Sequence, residues 1–192
     1  MIPERICSLN LISTAPRLVR TMPYLENLRN RINLLIPKSI DTQIAKVKAD
    51  CYSAKWLASP DDAEYVVQPF PTNGDRFTAG EVRKRMTPDA FTRNGFLCQV
   101  LAAGWHHKSP QQLKQLGDCV GRERILVLHG TEDHMIDFMH GEMLLRDLGG
   151  EEGGVTKSFH EGIGHVAPFE RRAEFRKIIA ERIERMEGLR RA

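Results

Sequence analysis

The apolar positions change period twice along the chain and divide it into three segments. Arg5 to Ser13 (RICSLNLIS) carries Ile6, Leu9, Leu11 and Ile12 in a nearly uncharged run that ends in the turn-prone Ser13-Thr14-Ala15-Pro16, the pattern of a short buried strand. From Arg17 to about Gly117 the spacing becomes helical. Ile40, Ile44, Val47, Cys51 and Ala54 recur behind Ser39 and Asp41, which predicts a helix running to about Leu57. Thr78-Ala79-Gly80-Glu81 and Ser109-Pro110-Gln111-Gln112 both have capping-box form, and Thr87-Pro88-Asp89 offers a further helix start with proline at the first position. Between these, Pro69, Pro71, Asn73 and Gly74 predict an irregular loop over residues 61–75.

In the third segment strands and helices alternate. Arg124 to His129 (RILVLH) is a short apolar run between Gly121 and Gly130. Ile136 to Leu148 reads as a helix closed by Gly149-Gly150, and Val155 to His160 as a second strand. A long amphipathic helix follows from about Ala167 to Glu187, with Phe169, Ala173, Phe175, Ile178, Ile179 and Ile183 on its apolar side. Strands alternating with helices predict a buried parallel α/β sheet. The expected organisation is a first core strand in residues 1–16, an all-helical insertion in 17–118 and an α/β core in 119–192.

Composition narrows the function classes. Hydrophobic residues make up 41% and charged residues 28%, which supports a packed core rather than a disordered chain. The most apolar stretch, Ile32 to Ile36, is broken by Asn33 and closed by Pro37, far short of the roughly 18 residues a membrane helix needs. Met1 to Arg5 lacks the features of a secretory signal, so an intracellular, cytoplasmic protein is expected. Cys7, Cys51, Cys98 and Cys119 form no CxxC pair, which predicts free thiols. Net charge is +3, and the arginines of the terminal helix are interleaved with glutamates, the pattern of a solvated face and not of a nucleic-acid patch.

Polar residues just beyond the carboxyl ends of parallel strands are where α/β folds place their sites. Asp133 follows the strand RILVLH on a glycine-started turn, and His165 follows the strand VTKSFH on the next one. If the strands are neighbours, a carboxylate and an imidazole meet, two thirds of an acid-base-nucleophile triad. Asp137 is a rival acid, but it falls inside the predicted helix. His129, His134 and His140 match no regular metal-ligand spacing, so no metal or organic cofactor is expected. Trp105, His106 and His107, and the Met135, Met139 and Met143 set, read as packing residues.

HGTEDHMI (residues 129–136), followed by GIGHV (residues 162–166), resembles the C-terminal half of the α/β-hydrolase fold, whose chain order is nucleophile, acid, histidine. PERICSLNLISTAPR (residues 3–17) resembles that family's sixth strand and the loop into its cap, and the helical segment resembles the cap itself. The resemblance implies the last three, mainly parallel strands of the sheet with a helical cap insertion. It implies Asp133 as acid, His165 as base, and a serine hydrolase acting on ester, thioester or amide bonds. The family's Gly-x-Ser-x-Gly elbow is missing: Ser8, Ser13, Ser39, Ser53, Ser59, Ser109 and Ser158 all lack the glycine frame. The expected chain is therefore a nucleophile-lacking portion, inactive alone, that takes a small acyl substrate when completed by an N-terminal half. An upstream aspartate nucleophile, as in epoxide hydrolases and dehalogenases of this fold, is a variant. The alternatives are a non-catalytic truncated product, self-associating through its exposed edge strand, or a remnant that binds a partner or ligand.

Overall fold

In the computed structural model, which describes residues 5–17, 23–25, 29, 32–33, 36, 38–87 and 92–191, contacts group the chain into two units: Leu18–His106, and Met1–Arg17 together with His107–Ala192. Among the described residues no helix is long and apolar enough to cross a membrane.

The first of these units is helical. Helix α1 (Ile40–Cys51) is capped by Ser39, whose hydroxyl accepts from the Thr42 N–H. It stops short of the predicted end at Leu57, because Ser53 starts a new helix, α2 (Ala54–Ala58), by accepting from the Trp56 N–H. Helix α3 (Asn73–Arg85) begins at Thr72, whose hydroxyl accepts from the Asp75 N–H at 3.1 Å. The expected start at Thr78 is mid-helix, where its hydroxyl donates to the Gly74 carbonyl at 2.8 Å. Asn73 and Gly74, which read as loop residues, serve tertiary contacts instead. The buried Asn73 amide donates to Ser59 Oγ and the Pro60 carbonyl and accepts from the Asp62 N–H. A Cβ on Gly74 would stand 2.9 Å from the Leu57 carbonyl oxygen. Helix α4 (Arg93–Trp105) is capped by Thr92, and the Pro88-Asp89 start lies outside the described residues.

The second unit holds the sheet. Strands β1 (Leu9–Ile12), β2 (Ile125–Gly130) and β3 (Thr156–His160) lie in the order β1-β2-β3, both pairs parallel, with Leu11 opposite Val127 and Leu128 opposite Ser158. The central strand is buried from end to end, which is why its sequence is a continuous apolar run instead of an alternation. On one face Ile125 and Val127 pack with Leu113 and Val120 of helix α5 (Pro110–Val120), Leu144 and Leu148 of helix α6 (Met139–Leu148), and Val155. On the other, Leu128 meets Ile163 and Ala167, with Ile12, Phe175 and Ile178 beside them. Each of these fully buried aliphatic side chains stabilises the fold by about 1.5–3 kcal/mol. Helix α5 carries the predicted capping box intact, Ser109 accepting from the Gln112 N–H and Gln112 Oε1 from the Ser109 N–H. Its apolar stripe packs in the sheet-bearing unit, although its helical period alone placed it in the insertion.

The terminal helix is divided. Helix α7 (Ala167–Glu170) ends at Arg171, whose φ of −132° leaves the helical region, and helix α8 (Arg172–Arg191) follows. Phe169 and Ile183, expected on the buried side, are exposed, whereas Arg182 is buried.

Candidate active site

Two turns at the carboxyl edge of the sheet carry the site. The chain turns just after Gly130, the last residue of β2, and after β3 at Gly162, whose φ is 70°. The turns are stitched together: the Thr131 N–H donates to the His160 carbonyl, the Glu132 N–H to the Ile163 carbonyl, and the Gly162 N–H to Thr131 Oγ1. This approach is close enough that a Cβ on Gly130 would stand 2.1 Å from the Ile163 oxygen, so only glycine fits. Glu170, buried on α7, accepts from the Gly164 N–H at 3.0 Å and pins the turn that presents the neighbouring His165.

These turns bring Asp133 and His165 together. Asp133 Oδ2 lies 2.9 Å from His165 Nδ1; the aspartate side chain is fully buried, and that of His165 is 23% exposed. Asp133 Oδ1 accepts from the Met135 and Ile136 N–H groups at 3.0 and 2.8 Å, an Asx turn that fixes the carboxylate plane. Burial works to raise the Asp133 carboxyl. Hydrogen bonds from His129, His165 and the Ile136 N–H overcome it, and hold the group at about 2 instead of the usual 3.8. An ionised carboxylate facing Nδ1 places the His165 proton there, and Nε2 is the nitrogen left to exchange a proton with a reacting group.

A third side chain, one the sequence does not single out for this site, faces Asp133. His129, fully buried near the end of β2, places Nε2 3.2 Å from Asp133 Oδ2 and 2.8 Å from the Ile136 carbonyl oxygen. The rival acid Asp137 lies just before α6, not within it, and its carbonyl accepts from the His140 N–H. Nε2 of His129 lies beside Asp133 and His140 Nδ1 beside the Asp137 carbonyl at 3.0 Å, and among the described residues no three His, Cys, Asp or Glu side chains form a metal-binding group.

Six of the seven serines are engaged elsewhere. Ser39, Ser53 and Ser109 cap helices, Ser59 donates to the Trp56 carbonyl, and Ser8 to Asn10 Oδ1. Ser158 Oγ is 2.7 Å from His160 Nε2, a pair on β3 and not on the Asp133 turn. Ser13 ends β1 in the left-handed region at φ 45°, its N–H donating to the Leu128 carbonyl and its buried hydroxyl without a partner among the described residues.

No protein-family model matches this sequence, and no curated protein does. Solved structures do. The chain superposes on Rv0554 from Mycobacterium tuberculosis with a TM-score of 0.60 at 17% identity, 95% of this chain covering 58% of that one. An esterase from Thermogutta terrifontis gives 0.63 at 14% identity, with 96% and 58% covered. A membrane phospholipase A described as a bacterial virulence factor gives 0.61 at 19%, with 96% and 51% covered. The chain thus spans just over half the length of the structures it resembles. Its three parallel strands and helical segment form a partial α/β-hydrolase-like fold.

Proposed function

From a partial α/β-hydrolase-like fold that holds a buried aspartate against a histidine, we propose that these 192 residues carry the acid and the base of a hydrolase. The bonds are those of esters, thioesters or amides, and the setting is the cytoplasm. The observation that carries this reading is the 2.9 Å contact of Asp133 Oδ2 with His165 Nδ1 at the carboxyl ends of adjacent parallel strands. The solved relatives that are named as an esterase and a phospholipase A support the reaction class. Free cysteines, Cys7, Cys98 and Cys119 among them exposed, suit a reducing compartment.

In the proposed mechanism Asp133 keeps the His165 proton on Nδ1. His165 Nε2 takes the proton of an attacking hydroxyl and returns it to the leaving group, while the buried carboxylate stabilises the imidazolium between these steps. The hydroxyl and the oxyanion hole come from sequence outside residues 1–192, since none of the seven serines has a glycine frame. Alone, the chain has no turnover. The test is to express it behind whatever coding sequence precedes Met1 in frame and to assay p-nitrophenyl esters. Hydrolysis that falls about 10⁶-fold in His165→Ala supports the reading. Hydrolysis indifferent to that substitution contradicts it.

A further inference from the structure

We infer that His129 is a positioning residue of this site: a neutral imidazole whose Nε2–H donates to the Ile136 carbonyl and lies beside Asp133 Oδ2, the oxygen that faces His165. The inference rests on the reading of Asp133 and His165 as an acid–base pair and adds a member that the triad pattern does not contain. Both oxygens facing His129 Nε2, the Ile136 carbonyl at 2.8 Å and Asp133 Oδ2 at 3.2 Å, can only accept, so Nε2 carries the proton. Nδ1 is buried without a partner among the described residues and is therefore the lone-pair nitrogen. The ring is closely packed: a Cβ on Gly141 of α6 would lie 2.8 Å from its Cβ, Cγ and Nδ1, and Phe138 meets it edge-on at 6.1 Å between centroids. Asp133 Oδ1 is already committed to two backbone N–H groups. His129 and His165 therefore converge on the other oxygen from opposite sides of the turn in sequence. A donor fixed by packing determines where that oxygen points, and draws off part of the charge that His165 meets there.

The test is nuclear magnetic resonance on the full 192-residue chain. Long-range ¹⁵N–¹H correlation at neutral pH should show His129 as the Nε2–H tautomer and His165 with a downfield Nδ1 proton. His129→Leu, which keeps the bulk and removes the donor, should broaden or abolish that proton and raise the Asp133 midpoint by about one unit. His129→Gln, whose amide reaches the same oxygen, should restore both, which a merely space-filling role would not require. His129 carrying its proton on Nδ1 overturns the inference on the unmodified chain, so the test survives even if the leucine variant fails to fold. A folded leucine variant with an unchanged His165 proton and Asp133 midpoint overturns it as well. If instead Asp133→Asn leaves the His165 proton untouched, the acid–base reading itself has failed, an outcome distinct from either.

Discussion

Asp133 is a charge placed where a charge is costly, and its environment decides whether the cost is met. Full burial alone would favour the protonated acid, yet two imidazoles and two backbone N–H groups converge on its oxygens and keep it ionised at about 2 against the usual 3.8. A folded-state value below the unfolded one stabilises the native chain above about pH 4, and that stabilisation is lost as pH falls towards 2. The shift corresponds to about 2 kcal/mol. Urea unfolding should therefore show a gap between the chain and Asp133→Asn that is constant near neutrality and closes between pH 4 and 2. A gap independent of pH would mean that the carboxylate does not hold this charge. Asp133 and His165 were legible because each follows a recognisable strand on a glycine turn, so strand order alone brings them together. His129 was not. It occupies a strand position whose neighbours are all apolar, and only the fold of the turn back through Ile136 shows what its ring faces.

Elements were legible where local physics decides them and obscure where distant contacts do. The Ser109 cap formed as expected because its partners lie within four residues, and Ser109→Ala should cost about 1 kcal/mol in chemical denaturation. The start of α3 at Thr72 was hidden because Asn73 and Gly74 look like loop punctuation, while their amide and missing side chain are used against residues 57–62. Glycines separate the two cases well. A Cβ on Gly130 would lie 2.1 Å from the Ile163 oxygen, backbone that cannot yield without parting the turns that carry Asp133 and His165. Gly130→Ala should cost about 3 kcal/mol or more and blur the His165 resonances. Gly80, exposed within α3 with nothing within 4 Å of its Cβ position, should gain up to about 1 kcal/mol as alanine. Comparing the two thermal midpoints distinguishes a turn held by close approach from a helix that merely tolerates glycine.

At the scale of the whole molecule, the chain forms a partial α/β-hydrolase-like fold and spans just over half the length of the structures it resembles. Its overall class was legible because β2 is buried on both faces and so reads as a parallel-sheet strand. The division of the terminal helix at Arg171 and the burial of Arg182 were not, since both depend on how α8 meets the sheet. The proposed acid–base pair of Asp133 and His165 has its nucleophile outside residues 1–192. The most direct measurement is reaction of the folded chain with a fluorophosphonate serine probe, read by intact mass, beside His165→Ala. No adduct is expected on either protein. A stoichiometric adduct on the chain, on Ser13 or Ser158 for instance, that disappears in His165→Ala would contradict that expectation and place a complete catalytic unit within these residues.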